Sequence, residues 1–554
     1  MADRFLTRTM HFRRQKGQRN DYMLVVENVD GHKVHKIVPN PTIKLFMTKE
    51  KYWTDDPPND PVEMFVPLNT VDEVEWPFKD NLKSLHMYFP DEWEYAYNAC
   101  IEGRDWDGLR RVYRDNRIHG ADVHIEDHYM GKYLDHYTNS KNDILVPSPI
   151  LHKAYWDIEV KVEELPPGMT IDESIREAPA PIDAISLYSD AYDIMYTFLL
   201  IVPDNPLMME FQKNVEKYRE QAIKRFNIYD CRIMFFENDV DLINEFFHTV
   251  NQDLKPDFLS AWNQGYDFRM THNRLKKLRY NPEDFFCADD IPHKKVFYWE
   301  DTRNWDPAKK GDYAEVSGYT NYCDQMLTFA SLRATMGKRD SYALDAIAKE
   351  ELDDSKDPVP VSFREFARWD YAKYVLYNQQ DVHLLHRLEK KNQDIELIYQ
   401  LGMITRTRPH KAWKKTISLR NLAIKFMYDR GYVCSNNHNM YTQKNYEGKF
   451  EGAFVADPSL NAHNGIELFG NKSNFLFENV CDEDLTSLYP SIILLQMIDP
   501  TNQLGRIDLR DKNGRDLAPQ LIRDFANRDF IKLGERWFNM PGKDKLIEKI
   551  LQGA

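Results

Sequence analysis

The chain has 554 residues, 42 % of them apolar and 29 % charged, and carries a net charge of −15. That length exceeds what one hydrophobic core supports and predicts three or four domains, while the apolar fraction excludes a disordered protein. The negative balance argues against a binder that uses its whole surface on nucleic acid, but leaves room for a local basic groove.

In chain order, the basic N-terminus (Arg4, Arg8, Arg13, Arg14, Lys16, Arg19) reads as a solvated arm. It lacks the serine-rich, acid-poor run of a transit peptide. Residues 21–45 alternate apolar and polar around Asp30-Gly31, which predicts a hairpin. Short strands and amphipathic pieces continue to residue 152, giving an N-terminal α+β domain, 1–152. Over 153–393 strands and helices alternate: strands are expected at 154–160, 182–189, 197–202 and 233–236, and helices at 239–250, 341–350 and 371–391. This is the pattern of an α/β layer domain. Residues 165–181 are expected as a surface loop and 291–320 as an extended hairpin or insertion. A helical segment, 394–438, is expected to return to the N-terminal domain. Strands near 452–455 and 479–485 begin a last domain, 439–554.

Three short segments carry chemistry. Asp157-Ile158-Glu159 sits in a strand-like run, so both carboxylates share one face. Such a pair can bridge two Mg²⁺ ions, one activating water and one steadying the leaving oxygen. Asn263 and Asp267 place an amide and a carboxylate on a loop leading into a helix. Tyr377 and Asp381, four apart, share one helix face. Taken singly, each is commoner as something plainer: a solvated strand face, a turn asparagine, a half-buried core tyrosine.

Jointly, Asp-x-Glu, Asn-x-x-Tyr-Asp and Tyr-x-x-x-Asp resemble, in order and spacing, the DnaQ/RNase H-like 3′→5′ exonucleases inside family B DNA polymerases. The resemblance implies that Asp157, Glu159, Asp267 and Asp381 are metal ligands, that Tyr377 positions water, and that Asn263 meets substrate DNA. A fourth segment, Asp484-Leu-Thr-Ser-Leu-Tyr-Pro-Ser491, resembles the first palm motif of the same family. There Asp484 would hold the polymerase metals, with Ser487, Leu488 and Tyr489 at the triphosphate and sugar. Gly452, in Phe450-Glu-Gly-Ala-Phe454, resembles the glycine that lets backbone approach the template. Motif content and domain order are closest to T-even-type phage replicative polymerases, and imply a partial palm domain after the exonuclease.

One departure is large. The family's fingers motif, Lys-x-x-x-Asn-x-x-x-Tyr-Gly, and its second catalytic run, Tyr-Gly-Asp-Thr-Asp, do not occur in these 554 residues. Phosphoryl transfer needs the second aspartate and cations on the phosphates. The expectation is therefore the N-terminal subunit of a split polymerase. A second chain would bring fingers, remaining palm and thumb. The substrates would be primer-template DNA and deoxynucleoside triphosphates, with two Mg²⁺ at each site (Mn²⁺ substituting). A sliding clamp and a single-stranded DNA-binding protein are further candidate partners, in the cytoplasm of an infected bacterium. The rivals are a free-standing exonuclease with a relic palm, a non-catalytic replisome scaffold, and a truncated piece of a single-chain polymerase.

Arg406, Arg408 and Lys411 lie among other cations and Trp413, which suits a phosphate-tracking groove as well as it suits a solvated loop. His124 and His128 stand near Asp122, Glu126 and Asp127 and read as polar surface. The six cysteines show no C-x-x-C spacing, so neither zinc nor a disulfide framework is indicated. No apolar run is long enough to span a bilayer.

Overall fold

The computed structural model describes residues 4–12, 22–39, 41, 43–52, 65–76, 117–120, 123–134, 149–337, 339–354, 361–435, 530–533 and 536–539. The chain forms two compact units, Met1–Asn445 and Tyr446–Ala554.

The first unit begins with an antiparallel sheet of β1 (Arg4–Phe12), β2 (Tyr22–Val29) and β3 (His32–Pro39). Its hairpin turn is Asp30-Gly31, both at positive φ (52° and 84°), the conformation that a tight turn between twisted strands requires. The Asn28 side chain accepts from the Gly31 N–H at 2.9 Å. β2 departs from the expected alternation, because six consecutive residues are buried. Met23 and Val25 join the large core, and Leu24 and Val26 pack with Ala288, Ile291 and Tyr319. The strand is covered on both faces. Beyond it, β4 (Ile43–Thr48) is flanked by β6 (Val71–Trp76) and β7 (Ile118–His119). A separate strand, β5 (Phe65–Pro67), precedes β6. Helix α1 (Ile125–Leu134) follows.

The centre of the unit is a six-stranded sheet in the order β11-β10-β9-β8-β12-β15. Its strands are β8 (Lys153–Val160), β9 (Ile182–Ser189), β10 (Ile194–Leu200), β11 (Asp230–Phe236), β12 (Phe258–Ala261) and β15 (Asn321–Asp324). β9 runs antiparallel to both neighbours, while β12 is parallel to β8 and to β15. Between β12 and β15 the antiparallel hairpin of β13 (Val296–Trp299) and β14 (Tyr313–Val316) occupies the segment read as an extended hairpin.

Residues 165–181 are not only loop. They contain α2 (Ile171–Glu177), opened by a capping box in which Thr170 and Glu173 satisfy each other's backbone N–H groups. The other helices needed below are α3 (Asp239–His248), α4 (Gln264–Lys277), α5 (Gln325–Leu332), α6 (Tyr371–Asn392), α7 (Asp394–Thr405) and α8 (Lys415–Tyr428). After α8, strand β16 (Tyr432–Cys434) pairs antiparallel with β5. In the second unit, β17 (Phe530–Leu533) and β18 (Arg536–Asn539) form an antiparallel pair.

Candidate functional site

β8 lies between β9 and β12, and its two faces meet different helices. Ala154, Trp156 and Ile158 point one way into an apolar core, where Trp156 stacks on Phe246 of α3 with ring centroids 5.1 Å apart. Tyr155, Asp157 and Glu159 point the other way, toward α6. The Tyr155 ring meets His386 at 5.7 Å, and Asn378 Nδ2 donates to Asp157 Oδ2 at 2.8 Å. α6 is anchored at its start by the Asp370 side chain, which accepts from the Lys373 N–H, and ends at Gln393 in the left-handed conformation. It therefore crosses the sheet at a fixed register and brings Asp381 over β8.

Asp157, Glu159 and Asp381 form one group, with ligand oxygens all within 4.8 Å of one another. It is the only cluster of at least three metal-capable side chains among the described residues. Three carboxylates so close repel one another unless a cation joins them. Their donor set is all oxygen, which fits a hard divalent ion. Tyr377, one turn before Asp381, is half-buried and sets its ring edge against Phe366 at 5.8 Å.

Asp267, the fourth expected ligand, stands beside this group. It lies in the first turn of α4, 2 % exposed, and its Oδ1 accepts from the Ile158 N–H at 3.2 Å. It is adjacent to the group of three but not part of it. Burial, reinforced by the charge of Asp157, pushes its carboxyl well above the usual range. Asn263 stands at the junction of β12 and α4 with φ 61° and makes no side-chain cap to the helix. The approach here is tight: a Cβ on Gly265 would meet Tyr298 Oη at 2.6 Å. Asp324, at the end of β15, caps α5 by accepting from the Leu327 N–H at 3.0 Å; burial raises its carboxyl to about 7.

Two cations of the basic segment are buried. Arg408 is 3 % exposed, donates from Nε to Asp127 at 3.2 Å, and pairs with Glu126 and Glu315. Lys411 is 9 % exposed, pairs with Glu315, and is lowered to about 8 by burial and then by Arg408. Burial alone would raise Glu315, but Lys295, Lys411 and Arg408 pull it well below the usual range. The two cations are buried and neutralise acids from α1 and β14 instead of facing solvent. Arg406, half-buried at φ 56°, closes α7 and lies against Gly131. Among the described residues, His124 and His128 join no metal group. Asp484, Ser487, Leu488, Tyr489 and Gly452 lie outside the described residues.

Two further features escaped the sequence. Asn378 is fully buried against Asp157; its only signal was a position beside Tyr377. Asp183 of β9 is buried and accepts from Tyr374 Oη of α6 at 2.7 Å. It sat unmarked in a run read as apolar strand.

Residues 103–347 match the DNA polymerase family B exonuclease domain. The match begins inside the expected N-terminal domain and stops before α6, so Tyr377 and Asp381 fall beyond it. The DNA-directed DNA polymerase of Escherichia phage RB69 is 24 % identical over 336 residues, covering 59 % of this chain and 34 % of that protein. The DNA-directed DNA polymerase of Enterobacteria phage T4 is 23 % identical over 455 residues, covering 77 % and 43 %. The chain thus spans less than half the length of these curated relatives. Over these stretches the chain is similar to the exonuclease domain of family B DNA polymerases and to the two phage polymerases.

Proposed function

We propose that this chain is a 3′→5′ exonuclease acting on DNA. Asp157, Glu159 and Asp381 hold two Mg²⁺ ions (Mn²⁺ substituting), with Asp267 as the adjacent fourth carboxylate. When bound, the ions supply Lewis-acid activation of water and compensate charge on the leaving 3′ oxygen. Tyr377 orients the attacking water, and Asn263 contacts the substrate strand at the mouth of α4. The observation that carries this reading is the convergence of three carboxylates from β8 and α6 within 4.8 Å. The test is digestion of a 5′-labelled single-stranded oligonucleotide. The wild type is expected to shorten it stepwise from the 3′ end with Mg²⁺ or Mn²⁺, and Asp157→Ala with Glu159→Ala to leave it intact. Equal digestion by both would overturn the assignment.

We further propose that Asp484 supplies one aspartate of a polymerase site, with Ser487, Leu488 and Tyr489 at the triphosphate and Gly452 near the template. A second polypeptide would bring fingers, remaining palm and thumb, and the pair would replicate phage DNA in the bacterial cytoplasm with a clamp and a single-stranded DNA-binding protein. The support is the run 484–491, whose one aspartate needs a second carboxylate and cations on the phosphates to close a two-metal site. Primer extension is expected only when this chain is mixed with such a partner, and is expected to vanish with Asp484→Ala while digestion persists. Robust extension by this chain alone would defeat the two-chain arrangement. Digestion without extension in any combination would favour a free-standing exonuclease.

A further inference from the structure

We infer that Asn378 is a positioning residue of the exonuclease site, holding the Asp157 carboxylate in the orientation that metal binding needs; this rests on the reading of that site given above. Asn378 lies in the middle of α6, fully buried. Packing and helix propensity at such a position favour an apolar side chain. What stands there is an amide whose Nδ2 reaches Asp157 Oδ2 at 2.8 Å and the Asp157 carbonyl oxygen at 3.4 Å. Its Oδ1 is buried with no hydrogen-bond partner among the described residues. An unmet buried acceptor costs on the order of 1–3 kcal/mol. The amide therefore contributes little to stability beyond what a leucine would, and its use lies in the bond to Asp157.

The chemistry of the donor fits that use. An aspartate can turn about its last torsion, and a ligand oxygen that turns away no longer converges with Glu159 and Asp381. One N–H to one oxygen stops the rotation. A neutral amide does so without cancelling the negative charge that attracts a divalent ion. Elsewhere in the same protein a buried carboxylate is handled the opposite way: Asp127 is neutralised by the Arg408 guanidinium. A carboxylate meant for a metal needs orientation without a competing cation, and partners that orient ligands in this way typically contribute about 10–100-fold to metal affinity.

The test uses the full chain and two variants, Asn378→Leu, which matches the side chain in size, and Asn378→Ala, in case leucine does not fit. Mn²⁺ binding is measured directly by calorimetric titration and by the Mn²⁺-induced rise in Tm, beside the Mn²⁺ dependence of digestion. A roughly 10–100-fold weaker Mn²⁺ affinity is expected, with kcat largely recovered at saturating Mn²⁺ and KM for the oligonucleotide unchanged. Mn²⁺ affinity within two-fold of wild type in a folded variant would overturn the inference, as would a kcat loss that added metal does not restore. Asp157→Asn separates the two levels. If it binds Mn²⁺ and digests DNA like wild type, the exonuclease reading itself fails; if it is inactive while the Asn378 variants bind Mn²⁺ normally, only the role of Asn378 fails.

Discussion

Tyr374 Oη, on α6, donates to Asp183 Oδ1, on β9, at 2.7 Å, and both side chains are buried. Burial raises the Asp183 carboxyl to about 7, with the Tyr374 bond pulling against that rise. The pair ties the helix that bears Asp381 to the strand next to Asp157, so its protonation state reaches the frame of the site.

The pH dependence follows from that shift. A carboxyl raised from its ordinary 3.8 to about 7 binds more protons folded than unfolded. Its contribution is fully present below pH 4 and is lost as pH rises through 7. Asp183→Asn keeps an acceptor for Tyr374 and removes the charge. The variant is expected to be more stable than wild type at pH 8, by up to roughly 4 kcal/mol at about 1.4 kcal/mol per pH unit, with the gain fading by pH 4. Urea unfolding at both pH values checks this, and a gain independent of pH would refute it.

Asp381→Asn is expected to abolish digestion at ordinary metal concentrations, because it removes charge from the three-carboxylate group. Tyr377→Phe removes only one hydrogen-bonding group and is expected to slow the reaction by about 10²–10³-fold or less. Single-turnover rates on one oligonucleotide compare them. A Tyr377→Phe enzyme slower than Asp381→Asn would show that the two roles are misassigned.

Arg408 and Lys411 separate stability from DNA binding. Arg408→Met leaves Asp127, Glu126 and Glu315 without their shared cation and is expected to cost about 3–5 kcal/mol in urea unfolding. Lys411→Gln is expected to leave both the affinity for a fluorescent single-stranded oligonucleotide and its salt dependence unchanged. A phosphate contact would instead lower the log–log salt slope by about 0.7.

Gly265 and Tyr298 are expected to be coupled. Gly265→Ala drives a methyl into Tyr298 Oη at 2.6 Å, beside Asn263 and Asp267. The expected cost is about 1–3 kcal/mol, together with reduced digestion. Tyr298→Phe gives up the bond from Tyr298 Oη to Asp312, 3.1 Å long, but clears the space. The double variant should therefore recover stability relative to Gly265→Ala alone, and additive losses in a thermal-unfolding cycle would show that the two positions are independent.

Local pattern was enough for the strands bearing Asp157 and Asp183, for the hairpin at Asp30-Gly31, for the long helix from Tyr371, and for the pairing of Tyr377 with Asp381 on one helix face. Each follows from a side-chain period of two or 3.6, or from a turn that needs positive φ. Long-range packing decided the rest. β2 is buried throughout because a second body of chain covers the face that alternation left to solvent. Arg408 and Lys411 look like surface cations in a row, yet acids 93 to 282 residues away in sequence, at 315 and 126, draw them inside. Asp267 has the spacing of a ligand, and only the packing of α4 on β8 brings its Oδ1 to the Ile158 N–H. Asn378 acquires its role only because α6 crosses β8 at one register, and no residue near it in sequence announces that crossing. Period and turn chemistry are local properties of a chain, whereas the partner of a buried charge or amide depends on which distant segment folds over it.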